Sequence, residues 1–141
     1  MRIRKCDIKD VYTVYEILKE NDQIGPQSVD HPKALKRIIG NNSAIFLVAE
    51  VNNKVVGMVR GVWDGSRALI HQISVHPLHQ RIRIGTELVK KIAVKFRDMG
   101  APTISVTASE RSSGFFKKLG FRVVPTARLM LHEDINKVIK I

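Results

Sequence analysis

The segment between Ile73 and Leu88 constrains the fold more than any other part of the chain, because it combines an apolar strand, a basic loop and a helix start. The loop carries Arg81 and Arg83, and the helix pattern begins near Ile84. Backbone N–H groups at a helix N-terminus, with the positive end of the helix dipole behind them, form an anion site. The segment therefore predicts a site for a phosphate-bearing ligand. The alternative is an ordinary strand-to-helix loop with a glycine at a tight position.

Two motifs give the chain a family resemblance. Residues 75–88 read V-x-P-x-x-Q-x-x-R-x-G-x-x-L, which resembles the acyl-CoA-binding motif of the GNAT superfamily of N-acetyltransferases. Residues 115–121 read F-F-K-K-L-G-F, which resembles the second signature of that family. Each motif is weak alone, but the two in this order are fairly specific, and the resemblance covers roughly residues 1–132.

Apolar periodicity predicts a mixed α/β (α+β) fold with the element order β-α-α-β-β-β-α-β-α-β-β. The resemblance implies a mostly antiparallel central sheet that splays between its fourth and fifth strands. We expect one domain over residues 1–132 and a polar C-terminal tail over 133–141. The predicted strands cover residues 2–6, 44–50, 54–62, 67–75, 103–107, 121–124 and 127–132, and the predicted helices cover 8–18, 33–39, 84–99 and 110–119.

Composition limits the class of protein and its partners. The chain has 141 residues, of which 44% are hydrophobic, and this suits a single domain. Its only cysteine, Cys6, cannot form an internal disulfide, and no signal peptide or apolar run long enough to span a membrane is visible, so we expect a cytoplasmic protein. The formal net charge of +11 favours polyanionic partners, including a phosphorylated cofactor, an acidic peptide or nucleic acid.

The resemblance implies acetyl-CoA as co-substrate, lying in the gap between the two splayed strands. Main-chain N–H groups of residues 82–86 would hold the pyrophosphate, and those near Ile73 or Val75 would polarise the thioester carbonyl. That second role is oxyanion stabilisation. The residues expected to bind the cofactor are Ile73, Ser74, Val75, Gln80, Arg81, Ile82, Arg83, Ile84, Gly85, Thr86, Ser109 and Phe116.

Three positions depart from the family pattern. Arg83 replaces the first glycine of the motif, which costs roughly 1 to 2 kcal/mol if the position requires a positive φ, although its guanidinium can contact phosphate. Ser109 stands near the place of an asparagine that contacts the pantetheine arm in many members. Phe116 replaces a tyrosine that often protonates the departing thiolate, and a phenyl ring has no proton to give.

Candidate catalytic groups are therefore found elsewhere. His71 lies on the strand beside the expected thioester, titrates near neutrality and would act as base for the incoming amine. Because side chains alternate on a strand, we expect only one of His71 and Gln72 to face the acceptor. Glu110, at the start of the helix after residue 109, is the second candidate base. The histidines at 71, 76 and 79 lack a cysteine or carboxylate to complete a tetrahedral site, so no metal is predicted.

The sequence thus predicts an N-acetyltransferase that moves an acetyl group from acetyl-CoA to a primary amine by direct attack in a ternary complex. The acceptor would be a peptide, a protein or a small molecule, engaged by the loop at 21–32 and the segment around Pro125. Two alternatives stay open: a catalytically silent acyl-CoA-binding regulatory domain, favoured by Phe116, and a basic nucleic-acid-binding module, favoured by charge alone. The chain is expected to be a monomer or a homodimer, without a membrane partner.

Overall fold

Five strands form one sheet in the order β1-β2-β3-β4-β5, in which the first three pairings are antiparallel and the last is parallel. The computed structural model describes residues 1–80 and 82–141. In that part of the chain no helix is both long and apolar enough to cross a membrane. The strands are β1 (Arg2–Lys5), β2 (Ala44–Val51), β3 (Lys54–Trp63), β4 (Ala68–Val75) and β5 (Ile104–Val106), and the helices are α1 (Val11–Glu20), α2 (Pro32–Ile39), α3 (Ile84–Met99), α4 (Glu110–Lys118) and α5 (Ile135–Ile139).

The two faces of the sheet carry separate cores, because alternate side chains of β2 and β3 point to opposite faces. Leu47 and Val59 pack under α3, whose apolar face presents Leu88 and Phe96. On the other face, β2 and β3 pack against α1 and α2. The predicted helical spacing in α3 is thus explained by burial against the sheet. The second cluster consists of Cys6, Val11, Val14, Leu18, Leu35, Phe46, Val48 and Met58.

Turn and cap residues fix the element ends where the sequence predicts them. Asn52 and Asn53 both have positive φ, at 51° and 64°, as a two-residue hairpin turn between β2 and β3 requires. Gly100 ends α3 with φ of 110°, and Gly120 follows α4 with φ of 93°. Asp7 caps the 3₁₀ turn at Ile8–Asp10, which leads directly into α1.

A β-bulge interrupts the pairing of β3 with β4. Arg60 lies opposite Gln72, whereas the next residue, Gly61, lies opposite Ile70, so His71 is the extra residue. A Cβ at Gly61 would lie 2.3 Å from the carbonyl oxygen of Leu69. The bulge therefore depends on glycine at position 61.

The sheet splays between β4 and β5, as predicted. The two strands pair only from Ala68 to Ile70 on β4 and from Ile104 to Val106 on β5. From Gln72 onwards β4 continues without β5 beside it. One edge of its last four residues is consequently open.

The two closing strands predicted at 121–124 and 127–132 do not form, and that part of the predicted element order was wrong. The segment makes local backbone bonds instead: Phe121 N–H donates to Phe116 O, and Ala127 N–H donates to Val124 O. Alternating apolar residues form a strand only beside a partner edge, and β5, with three residues, offers a very short one. Leu129 and Met130 are consequently exposed. The tail, predicted only as polar, contains the short helix α5.

Candidate active site

The N-terminus of α3 carries N–H groups that the helix itself does not use. The first intrahelical bond runs from Glu87 N–H to Arg83 O, so the N–H groups of Ile84, Gly85 and Thr86 precede it. The side chain of Arg83, the N-cap residue, makes no capping hydrogen bond. The N-terminus of this 16-residue helix therefore presents three main-chain N–H donors that an anion can bind.

Arg83 adopts the left-handed conformation, with φ of 67° and ψ of 10°. This conformation is rarely adopted by residues with a long side chain, and it explains why the family motif has glycine at this position. The conditional cost derived from the sequence therefore applies.

Gly85 lies where α3, α4 and the end of β4 meet. A Cβ on Gly85 would lie 3.3 Å from Cζ of Phe115 and 3.9 Å from a methyl carbon of Val75. A side chain at this position would be tight against the Phe115 ring, which would have to shift by a few tenths of an ångström. The contact also places the second motif directly against the first.

The open edge of β4 presents the main chain of Ile73 and Val75. His76 N–H donates to Val56 O on the β3 side, and successive strand residues alternate their N–H and C=O groups between the two edges. The peptide groups of Val75 and Ile73 therefore point away from β3, into the gap left by β5. The main-chain donors expected to polarise a thioester lie at this edge.

Amide side chains bind the two carbonyl groups of that edge. Asn21 Nδ2 donates to Val75 O at 2.9 Å and to the hydroxyl of buried Ser74 at 2.7 Å. Gln80 Nε2 also donates to Val75 O, at 2.9 Å. Gln23 Nε2 donates to Ile73 O at 3.1 Å. The loop after α1 is thus tied to the open edge, a connection that the sequence did not reveal.

His71 lies next to a charged network on the α1 side of the sheet. Arg60 Nη2 donates to Asp30 Oδ1 at 2.9 Å, and Arg60 Nε donates to Gln72 Oε1 at 2.8 Å. Partial burial lowers the pKa of His71 below its usual 6.5, and the positive charge of Arg60 lowers it further, whereas Asp30 opposes the change. The lowered pKa favours the neutral imidazole, which can accept a proton.

The bulge bears on the expectation that only one of the His71 and Gln72 side chains faces the acceptor. Strict alternation applies only while the ladder is regular, and His71 is the extra residue of the bulge. The argument from alternation therefore does not apply to these two residues, and which of them faces the acceptor stays a prediction. The signal for the bulge was present in the sequence as Gly61 inside a strand pattern.

The remaining predicted residues lie at the start of α4 and in the loop before α3. Ser109 caps α4 by accepting from Ser112 N–H, and Glu110 is the exposed first residue of that helix. Phe116 is 3% exposed and makes edge-to-face contacts with Phe115 and Phe121, so it is mainly a core residue. Ile82 is exposed. Arg81 lies outside the described residues.

The histidines in the loop before α3 belong to no group of three possible metal ligands in the part of the chain that the structure describes. The rings of His76 and His79 meet edge to face with centroids 6.0 Å apart. His76 Nδ1 accepts a hydrogen bond from Leu78 N–H. Within residues 1–80 and 82–141, no three histidine, cysteine or acidic side chains come together.

Known proteins share both this sequence pattern and this fold. The family model described as Acetyltransferase (GNAT) family matches residues 11–121, which include both motifs. The chain belongs to this family. The GNAT fold is also found in solved structures. A transcriptional regulator from Bacillus halodurans C-125 superposes with a TM-score of 0.79 at 22% identity, covering 93% of this chain and 98% of that one.

Two further solved structures are similar to this GNAT chain. PaiA N-acetyltransferase from Thermoplasma acidophilum, in complex with coenzyme A, has a TM-score of 0.78 at 19% identity, covering 89% of this chain and 92% of that one. A predicted acetyltransferase with acetyl-CoA from Clostridium acetobutylicum has a TM-score of 0.76 at 19% identity, covering 92% and 95%. At these identities the likeness establishes the fold.

Proposed function

We propose that this chain is an acetyl-CoA-dependent N-acetyltransferase that acetylates a primary amine by direct attack in a ternary complex. The observation that carries the proposal is the junction of the uncapped N-terminus of α3 with the open edge of β4. Relatives of the same fold with bound coenzyme A and acetyl-CoA support it. In this proposal residues 1–132 act as one domain.

The residues at the junction fit the cofactor chemically. Three main-chain N–H groups at residues 84–86, the helix dipole and the charge of Arg83 suit a pyrophosphate. The N–H groups of Ile73 and Val75 line the open edge and suit amide and thioester carbonyls. When bound, acetyl-CoA supplies an activated acyl group to this edge.

The chain's own residues would prepare the acceptor. The lowered pKa of His71 favours the neutral imidazole, so it would take a proton from the incoming ammonium directly or through a water molecule. Glu110, which like His71 is exposed, remains the second candidate at the start of α4. An N–H group of Ile73 or Val75 would hold the developing negative charge of the acyl oxygen. Such donors are worth about 3 to 4 kcal/mol in comparable sites.

One observation favours the silent-domain alternative. Phe116 replaces the usual tyrosine and is packed in the core, so it provides no phenol to the leaving thiolate. Loss of a positioned acid costs about 10² to 10⁴ in rate unless another group replaces it. A chain with this site can retain cofactor binding with little turnover.

Calorimetry followed by a transfer assay separates the two functions. We expect one-to-one binding of acetyl-CoA, and weaker binding of the analogue that lacks the 3′-phosphate, with the difference shrinking at high salt. The transfer assay then measures thiol release with a panel of small amines and peptides. Binding with no release across the panel would favour the silent domain, and no binding would refute both.

A further inference from the structure

Gln23 has one oxygen atom that the fold leaves without a partner. Within residues 1–80 and 82–141, Oε1 of Gln23 is the buried side-chain oxygen for which no hydrogen-bond donor is present. Buried polar atoms in proteins are nearly always paired, so an orphaned acceptor indicates a donor that arrives with a ligand or with solvent. The atom lies on the loop between α1 and α2, outside both family motifs.

Three hydrogen bonds fix the position of Gln23. Its N–H donates to Leu18 O at 2.8 Å, and its main-chain carbonyl accepts from Gln72 Nε2 at 3.0 Å. Its side-chain Nε2 donates to Ile73 O at 3.1 Å. The third bond also fixes which amide atom is which, because the flipped amide would place two oxygens against each other. Oε1 is therefore held as an acceptor and cannot exchange places with the nitrogen.

The same bond places Oε1 beside the open edge of β4. The oxygen and nitrogen of one carboxamide are about 2.3 Å apart, so Oε1 lies close to the carbonyl of Ile73. The carbonyl of Ile73 points into the gap where β5 has left β4. Gln72, which holds the main chain of Gln23, is adjacent to His71 in the sequence and is itself held by Arg60. The network that holds Gln23 thus reaches the residue next to the candidate base, and the charges of Arg60 and Asp30 act on the pKa of His71.

We propose that Oε1 of Gln23 binds an N–H of the acceptor amine and holds its nitrogen at the open edge of β4. This inference rests on the proposed function and adds a residue for the acceptor. A primary amine keeps two N–H bonds after one proton has passed to a base, so one can bind Oε1 while the lone pair faces the acyl carbon. A neutral carboxamide accepts that bond without the strong stabilisation of the ammonium form that a carboxylate would give.

The enclosure of Oε1 favours an amine over the pantetheine arm as its partner. The atom is almost completely buried, so a donor that reaches it must be small. The end of an aliphatic amine meets that requirement, whereas an amide in the middle of a long arm does not. Asp30 holds the same loop from the other side, by accepting from Gly25 N–H at 2.7 Å and from Arg60.

The test compares Gln23→Met, Gln23→Glu and the wild-type protein, with n-butylamine as the acceptor probe. Gln27→Met is the matched control, because Gln27 belongs to the same loop and is exposed, and its side chain bonds to no described residue. We expect Gln23→Met to lower kcat/KM for the amine about 5- to 20-fold, with the dissociation constant of acetyl-CoA unchanged. Gln23→Glu also loses the bond to Ile73 O but keeps an acceptor for the amine, so it should retain more kcat/KM than Gln23→Met and shift the pH profile to higher pH, because a carboxylate stabilises the ammonium form of the amine.

Other outcomes would overturn the inference. Acetyl-CoA binding weakened as much as kcat/KM would assign Oε1 to the pantetheine arm. Equal kcat/KM for Gln23→Met and Gln27→Met would mean that Oε1 bonds only to water. Failure of the wild-type protein to transfer acetyl to any amine would overturn the proposed function itself, and normal transfer by the wild type keeps the two questions separate. Thermal unfolding of each variant shows whether a loss arises from misfolding.

Discussion

Replacing Arg83 separates the stability cost of the phosphate loop from its benefit in binding. Arg83 has φ of 67°, and a left-handed conformation costs a residue with a Cβ roughly 1 to 2 kcal/mol. Arg83→Gly removes that cost but adds about 0.5 to 1 kcal/mol of unfolded-chain entropy. The net result is a gain of about 0.5 to 1 kcal/mol in unfolding free energy. For a domain of this size that corresponds to a rise in Tm of about 1 to 4 °C.

Two further variants make the source of the gain visible. Arg83→Asn tolerates the left-handed conformation without the entropy cost of glycine, so its Tm should rise at least as much. Arg83→Ala keeps the strain and should show no gain. All three variants remove the guanidinium, so acetyl-CoA should bind each of them about 5- to 10-fold more weakly, and Arg83→Lys should lose less. The affinity differences should shrink at high salt.

The measurements are differential scanning calorimetry and titration calorimetry on the same preparations. Equal Tm values for the alanine, asparagine and glycine variants would show that position 83 is not strained, and the assignment of its φ would fail. Unchanged acetyl-CoA affinity in all three would show that the guanidinium contacts no phosphate. Because stability and affinity are expected to move in opposite directions, general damage to the protein cannot imitate the result.

Three other perturbations test the fold and the site. Gly61→Ala should lower the unfolding free energy by more than about 2 kcal/mol in urea titration, because its Cβ would lie 2.3 Å from a main-chain oxygen, whereas Gly114→Ala, which meets nothing within 4 Å, should not. The amine-transfer rate should fall as the pH drops below the usual 6.5 of histidine, because protonation removes the base, and His71→Asn should lose both turnover and that acid limb. Arg4 lowers the pKa of Asp10, so this ion pair stabilises the fold above about pH 3.9 and the stabilisation is lost as the pH falls further through the lowered pKa. Asp10→Asn should cost about 2 kcal/mol at neutral pH by chemical denaturation, and a gap that does not narrow in acid would contradict the assignment.

Local patterns in the sequence were sufficient to predict the features of the fold that depend on residues close together along the chain. The strand, loop and helix of the first motif follow from hydrophobic periodicity, and the element ends follow from Asn52-Asn53, Gly100 and Gly120. The splay of the sheet was implied by family resemblance and agrees with the short pairing of β5. These features depend on neighbours that are close along the chain or on a motif of fixed spacing.

The predictions that failed depend on distant pairing. Residues 121–132 have the alternation of strands, but a strand also requires a partner edge, which no local pattern reveals. The regular alternation expected at His71 and Gln72 is interrupted by a bulge in the pairing with β3, which no local pattern fixes. The sequence also does not predict the unpaired oxygen of Gln23, because the residues that hold this side chain and its main chain lie on β4.

Binding and turnover would depend on different kinds of group in this site, so a chain of this family can lose one without the other. Main-chain N–H groups on α3 and β4 would bind the cofactor, and they survive side-chain replacement as long as the bulge and the splay persist. Amine activation would depend on side chains, namely His71 and the network that runs through Gln72 and Gln23. Phe116 has no phenol to protonate the leaving thiolate, so its replacement of tyrosine bears on turnover. Cofactor affinity therefore cannot by itself distinguish an enzyme from a silent domain, and the deciding quantity is the rate of amine acetylation and its dependence on His71.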